Sequence, residues 1–413
     1  MSGVKKLKVY ALSNDPIYIG TGGYTIGRVD NTIVRDTITR IPKIPGSSLA
    51  GTWRYYMALE LQGWLKKNFV DFKDALDKNN TEDSWSDTKT LVNRIADNEL
   101  GEEKVSFDKR KEKFMEYAVR MNEAINSSSG DSIQNHWQLY WGNLISSIKC
   151  AGQDDKPNDD HERGGMFEKL DDTGHCGHCI ICKTFGFSKK NLSQQGIGFF
   201  SDLNILLFPV YTRLGVKWIT SPGILEDAEA EVKFINRNTK ADEEGPESIW
   251  ERLRNELAKD NVIMINGSTG DASQNSINLG WLNLNVKKQD VSVSIPSLTE
   301  EKDIWPHIHK NLVIVPDSLI SHIINSNLEV RTSVSIDPLT GAAKSGALFT
   351  SEAIPRGTVF YGDIRLAERE GAESVLTDDI EKALEDSKRY YESLGIGGMV
   401  TRGFGRLKVY LQK

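Results

Sequence analysis

The chain has 413 residues, of which 38% are hydrophobic and 26% charged, and carries a formal net charge of −7. That length buries a sizeable core, no apolar run approaches twenty residues, and no signal-like start is present, so neither a membrane partner nor secretion is expected and the location is expected to be cytoplasmic. Three of the four cysteines lie between Cys176 and Cys182, a clustering that does not suit a disulfide framework in a chain of this size.

Negative net charge weighs against nucleic acid, because phosphate binding draws on Lys and Arg to release counterions. The charge is uneven, however. Residues 1–56 carry eight basic against three acidic side chains, while residues 225–247 carry eight acidic against three basic ones.

Residues 4–19 read as a strand broken at Asn14, Asp15 and Pro16. Residues 20–46 are rich in glycine and proline, irregular, and long for an idle connection. Ser47 and Ser48 offer a helix N-cap, after which Leu49, Trp53, Met57, Leu61 and Trp64 recur at helical spacing. From 68 to 160 the pattern is polar and helical. Residues 196–220 read as two central strands, 223–310 as a second polar insertion, and 328–366 as alternating β structure with turn chemistry at Asp337–Gly341. Thr377 caps a helix that places Ile380, Leu384, Tyr391 and Leu394 on one face and stops at Gly395, and the last segment is a strand similar to the first.

The expected class is therefore α+β: a ferredoxin-like, RRM-type βαββαβ palm with long helical insertions. Its parts are 1–67 (first half of the palm), 68–160 (helical insertion), 161–222 (cysteine cluster and central strands), 223–327 (second insertion), 328–366 (hairpin and strands) and 367–413 (last helix, glycine loop, last strand).

Residues 395–406 hold five glycines, among them Gly397, Gly398 and Gly403, with Arg402 and Arg406. Glycine permits positive φ and close backbone approach, so amides of such a loop can face phosphate oxygens while the arginines add charge. RNA contact is the expectation. No Gly-Lys-Ser/Thr follows, which excludes a P-loop.

Cys176, Cys179 and Cys182 form two overlapping C-x2-C spacings, suited to a tetrahedral structural Zn2+. The fourth ligand is open among His161, His175, His178 and Cys150, with His161 preferred because it enters from a distant segment. His307 and His309 are spaced as on one strand face and read as structural, and Trp137, Trp141 and Trp281 as core in preference to base-stacking platforms.

The glycine loop, the block Pro42–Arg54 and the string Cys182-Lys183-Thr184-Phe185-Gly186 together resemble signatures of the RAMP superfamily, the repeat-associated proteins of CRISPR systems. Within it, Gly27–Asp36 resembles the catalytic loop of the RNA-cleaving backbone subunits of type III effectors. Residues 206–222 are similar to the Cmr-type subunit, while the VDNxxVRD string is also close to the Csm-type, so both subtypes stay open.

The resemblance implies a palm polymerised along a crRNA, with copies of itself and other effector subunits as partners, and target-RNA cleavage opposite an inserted β-hairpin thumb. Leu328–Glu352 has the length for that thumb, with Arg331 and Lys344 available to a backbone. Arg28, Arg35, Lys43, Ser47, Ser48 and Arg54 are the further candidate RNA contacts, and Asp36 reads as a turn or ion-pair residue. The resemblance makes Asp30 the catalytic candidate, assisting 2′-hydroxyl attack directly or by holding Mg2+ or a similar hard cation. Two rivals accompany this reading: an inert RNA-binding scaffold, and a precursor-crRNA processing endonuclease. The latter wants a histidine in the first half of the palm, but the first histidine of the sequence is His136, inside the helical insertion.

Overall fold

The computed structural model describes residues 3–22, 29–77, 150–151, 175, 180–189, 192–234, 249–257, 261–264, 275–288, 291–295, 304–367 and 377–413. The strands are β1 (Val4–Ser13), β2 (Lys43–Ile44), β3 (Gly186–Lys189), β4 (Leu192–Gln195), β5 (Gly198–Phe200), β6 (Leu203–Thr212), β7 (Gly215–Thr220), β8 (Glu231–Phe234) and β9 (Asn261–Met264). There follow β10 (Ser276–Leu279), β11 (Leu282–Lys288), β12 (Val291–Ser294), β13 (Leu312–Ile314), β14 (Glu329–Ile336), β15 (Ala343–Ala353), β16 (Val359–Ala367) and β17 (Leu407–Gln412). The helices are α1 (Gly46–Asp77), α2 (Ile180–Phe185), α3 (Pro222–Asp227), α4 (Ile249–Leu257), α5 (Trp305–Lys310), α6 (Asp317–Ser326), α7 (Thr377–Ser387) and α8 (Tyr390–Ser393).

The chain divides into two compact units. The larger comprises 7–49, 201–363 and 390–413. Its mixed sheet runs β10-β11-β9-β13-β7-β6-β16-β1-β17, with β2 added to β6. β1 and β17 pair antiparallel, Tyr10 opposite Tyr410, so the two similar terminal sequences are neighbours. Inside the sheet, β1 buries Leu7 and then Val9, Tyr10, Ala11 and Leu12 in one run, and β6 buries Ile205 to Phe208. Strands covered on both faces need continuous apolar runs, which is why their sequences alternate only in part. Leu206 and Leu207 of β6, Leu225 of α3, Leu253 and Leu257 of α4, and Trp305 and Ile308 of α5 share one core. Burying each such side chain contributes about 1.5–3 kcal/mol.

The smaller unit comprises 1–6, 50–200 and 364–389. Here Trp53 of α1 is fully buried and donates through Nε1 to Leu384 O at 3.3 Å and to Ser387 Oγ at 3.1 Å on α7. Phe200 stacks on Phe185 at 5.2 Å between centroids, and Gly198–Phe200 pairs with Ile364–Leu366.

The structure departs from the sequence expectation at several points. Helix α1 starts at Gly46, ahead of both serines, and the amide of Gly46 donates to the Asp202 carboxylate at 2.7 Å; an aspartate distant in sequence takes the place of the expected serine cap. The strand between β1 and β6 is β16, whereas the expected second central strand, β7, lies on the other side of β6. Residues 223–327 are no polar appendage: they supply β9, β10, β11 and β13 to the sheet, because Val262, Ile263, Ile277, Leu279 and Val313 are short buried runs within polar surroundings. His307 and His309 lie on α5, started by Pro306 in its first turn, and not on a strand. Leu394 is exposed although Ile380, Leu384 and Tyr391 are buried as expected, since α7 stops at Ser387 and breaks the face. Trp281, read as core, is 90% exposed at the β10–β11 turn. Of the insertion 68–160, only 68–77, on α1, and 150–151 are described, and Trp137 and Trp141 lie outside the described residues.

The segment read as a hairpin is one. β14 and β15 form a separate two-stranded sheet, joined by a turn in which Leu339 N donates to Asp337 Oδ1 at 2.8 Å and Gly341 adopts φ 65°. Among the described residues, no helix is long and apolar enough to cross a membrane.

Candidate functional site

Asp30 sits exposed against the end of β15. Its Oδ2 accepts from the Thr350 amide at 2.7 Å and from the Thr350 hydroxyl at 2.9 Å. The Asp30 amide in turn donates to Thr350 Oγ1 at 3.1 Å. Next door, Asn31 N donates to Thr350 O, Glu352 N donates to Asn31 O, and Asn31 Nδ2 reaches Ser351 Oγ. The loop is thus stitched to β15 as a short extra rung. Donation from the Thr350 amide, then from its hydroxyl, holds the Asp30 carboxyl below its ordinary pKa, so it is ionised at neutral pH. Among the described residues Oδ1 accepts no hydrogen bond, which leaves one oxygen for chemistry.

Arg35 anchors the far end of the same loop. Its guanidinium donates to Ile33 O at 3.0 Å, to Asn325 Oδ1 of α6 at 3.0 Å and to Glu352 at 2.7 Å. Glu352 lies two residues beyond Thr350, on the same face of β15. Asp36 accepts from the Ile38 and Thr39 amides, both at 2.9 Å, and from Lys43 at 3.2 Å. The amides of Thr39 and Ile38 lower its pKa to about 2. Lys43 also pairs with Asp202 at 2.6 Å. Arg35 and Lys43, expected at RNA, are therefore engaged within the chain, and Asp36 has the turn and ion-pair role expected of it. Arg28 lies outside the described residues.

The glycine loop packs on the chain's own backbone. Gly397 has φ 80°, and a Cβ there would meet Tyr18 O at 2.3 Å. Gly398 N donates to Tyr18 O, Gly405 N to Pro16 O and Ile396 N to Gly405 O, each at 2.9 Å. Arg406 forms a bidentate pair with Asp15 at 2.5 and 2.9 Å. Arg402 is exposed and, among the described residues, makes no ion pair; Gly403 adopts φ 80°, and a Cβ there would meet only Arg331 Nη1, at 3.8 Å. Arg331 of β14 donates to Gly403 O, with Phe404 beneath its guanidinium. Because Arg331 is the register partner of Ser351, one hairpin holds the Asp30 loop by one strand and the glycine loop by the other. Lys344 is exposed near the tip of that hairpin, and Ser47 is exposed while Ser48 is half-buried at the start of α1.

In the smaller unit, Cys150, His175 and Cys182 are buried with ligand atoms all within 4.8 Å of one another. Cys182 Sγ lies 3.9 Å from His175 Nδ1, against roughly 3.5 Å for S and N on one tetrahedral zinc. Arg54, a candidate RNA contact, instead donates to Cys150 O at 2.6 Å and to His175 Nδ1 at 2.9 Å. The group thus unites one expected ligand with two of the alternatives. Cys176, Cys179, His178 and the preferred His161 lie outside the described residues.

Sequence reading did not find Thr350, Glu352, Asn325 or Asp15. Each acts across more than 280 residues of chain, and no spacing rule reaches that far.

The RAMP superfamily profile matches residues 14–408. The chain belongs to the RAMP superfamily. A relative of this RAMP protein, the CRISPR system Cmr endoribonuclease Cmr4 of Pyrococcus furiosus (strain ATCC 43587), is 25% identical over 240 residues, 56% of this chain and 75% of the relative. Among solved structures, the type III-B Cmr-beta complex bound to cognate target RNA contains a chain 12% identical with a TM-score of 0.46, covering 98% of this chain and 97% of that one. Oligomeric Cmr4 from Pyrococcus furiosus gives 16% identity and a TM-score of 0.42, covering 99% and 98%.

Proposed function

We propose that this RAMP protein is a Cmr-type backbone subunit of a type III CRISPR effector, binding crRNA beside copies of itself and other effector subunits and cutting complementary RNA at regular intervals. The observation that carries this is the exposed Asp30 carboxylate fixed by one oxygen at the root of the β14–β15 hairpin. The curated relative named an endoribonuclease supports the reaction class. In this reading the hairpin is the thumb: Val334, Ile336, Leu339 and Leu348 are exposed along it, an apolar surface suited to unstacking bases. The neighbouring strands β17-β1-β16-β6, with α1 after β1 and α7 before β17, read as the ferredoxin-like palm.

In the reaction, the ribose 2′-oxygen attacks phosphorus as its proton passes to Asp30 Oδ1. The bond to the 5′-oxygen breaks, and that oxygen takes a proton from water, leaving a 2′,3′-cyclic phosphate and a 5′-hydroxyl. A carboxylate with lowered pKa is a weak base, so proton transfer contributes toward the low end of the hundred- to ten-thousandfold usual for such groups. Alternatively, instead of taking the proton, Asp30 would help to hold Mg2+ or a similar hard cation, and that ion would supply charge stabilisation on the phosphorane. Among the described residues the Asp30 side chain bonds only Thr350, and no histidine hydrogen-bonds it. For RNA, Arg402, Lys344 and Ser47 are retained as direct contacts, and Arg28, outside the described residues, and Ser48 as further candidates. Arg35, Lys43, Arg54, Arg331, Arg406 and the glycines Gly397, Gly398 and Gly403 are assigned to shaping the surface.

The smaller unit holds structural Zn2+ in this proposal. Cys182, Cys150 and His175 have the right donor chemistry, with Cys176, Cys179 and His161 as the further candidates. His175 offers Nδ1 to a metal only once Arg54 releases it.

The test is to isolate the chain from cells with its partners, sequence the associated RNA, and offer a complementary RNA. The proposal expects guide RNAs, other effector proteins and fragments at a constant spacing. Recovery of the chain alone, without RNA, would overturn it.

A further inference from the structure

Resting on the reading of Asp30 as the catalytic carboxylate, we propose that Thr350 is its positioning residue. Thr350 fixes Asp30 so that it works through Oδ1 alone.

The geometry is a closed exchange between two residues. The Thr350 hydroxyl donates to Asp30 Oδ2 at 2.9 Å and accepts from the Asp30 amide at 3.1 Å, while the Thr350 amide donates to the same Oδ2 at 2.7 Å. Both lone-pair directions of Oδ2 are filled, so rotation about the Cβ–Cγ bond would break two hydrogen bonds at once. Oδ1 is held outward as the single acceptor. A carboxylate on an exposed loop otherwise samples several rotamers, and a misplacement of about 1 Å can cost on the order of a hundredfold in rate.

Thr350 itself is braced. It sits in β15 opposite Thr332 of β14, and its carbonyl receives the Asn31 amide at 3.0 Å. Among the described residues, Arg35 and Glu352 are paired with each other at 2.7 Å and neither hydrogen-bonds Asp30, whose partner is Thr350. A one-oxygen carboxylate also cannot chelate a cation in bidentate fashion, so any metal at Asp30 is bound monodentately.

Removing the hydroxyl while keeping the backbone separates positioning from folding. Thr350→Val is nearly isosteric, Thr350→Ala removes the same bond with less bulk, and Thr350→Ser keeps it. In the assembled guide-bound complex, single-turnover cleavage at saturating target RNA should fall about tenfold to a hundredfold in the Val and Ala variants. The Ser variant should stay within about threefold of wild type, and target affinity should change less than twofold in all three. Wild-type rates in both the Val and Ala variants, with Asp30→Ala inactive, would overturn the positioning role alone. Cleavage by Asp30→Ala would overturn the catalytic reading and this inference with it. Equal losses in Ser and Val, or losses in affinity without loss of maximal rate, would mark Thr350 as structural and also overturn it.

Discussion

Arg331 joins Gly403 by a hydrogen bond from Nη1 to the carbonyl oxygen at 3.2 Å. The same guanidinium lies 4.7 Å from the Phe404 ring centroid, so one side chain ties hairpin to glycine loop twice. A partly exposed cation–π contact contributes about 0.5–1 kcal/mol. Arg331→Ala should therefore lower stability to denaturant by about 1 kcal/mol, and should weaken RNA binding about equally for two unrelated guide sequences. Unchanged stability would show that the contact does not hold the loop.

Within that loop the glycines are not equivalent. A Cβ on Gly397 would lie 2.3 Å from Tyr18 O, whereas at Gly403 the nearest atom is 3.8 Å away. Both have φ 80°, for which an L side chain costs about 1–2 kcal/mol. Gly403→Ala should show that cost only. Gly397→Ala should lose clearly more, because backbone must move, and thermal unfolding of the two variants side by side measures the difference.

The architecture was legible where the pattern is local. The hairpin turn at Asp337–Gly341, the α1 face through Trp53 and Met57, and the similarity of the two terminal strands all reappear in the structure. What stayed hidden depends on distant partners. Arg35 and Lys43 look like free cations in a basic segment, yet Glu352 and Asp202 neutralise them from more than 150 residues away. The glycine loop looked like a phosphate cradle, but the amides of Gly398 and Gly405 are taken by Tyr18 and Pro16. Trp281 reads as core by residue type and is exposed by its place in a turn.

Asp36 gives the larger unit a pH dependence. Its pKa is lowered to about 2 from an ordinary 3.8, chiefly by the Thr39 and Ile38 amides. A depressed carboxyl stabilises the fold above its unfolded pKa, and that contribution is lost as pH falls through the folded value. Stability should therefore decline between about pH 4 and pH 2, and Asp36→Asn should be less stable than wild type at neutral pH with a flatter response in that window. Thermal midpoints at a series of pH values supply the measurement, and parallel profiles would remove Asp36 from the account.

For the smaller unit, protein prepared without chelator should carry about one zinc per chain. Cys182→Ser should lose it and lower the unfolding temperature, since binding free energy at a structural zinc is folding free energy. Cys150→Ser should do the same if the three buried groups form the site. Elemental analysis that finds no zinc in wild-type protein would leave the cluster as a reduced hydrogen-bonded group around Arg54.

In the proposed mechanism Asp30 acts in the chemistry and not in the binding of RNA. Asp30→Asn keeps the size of the side chain and removes its charge, and losing a negative charge cannot weaken phosphate contacts. The measurement is cleavage and capture of one complementary RNA by guide-bound complexes carrying either residue. Full capture with cleavage reduced at least a hundredfold is expected of the Asn variant. Cleavage within a few-fold of wild type would contradict it.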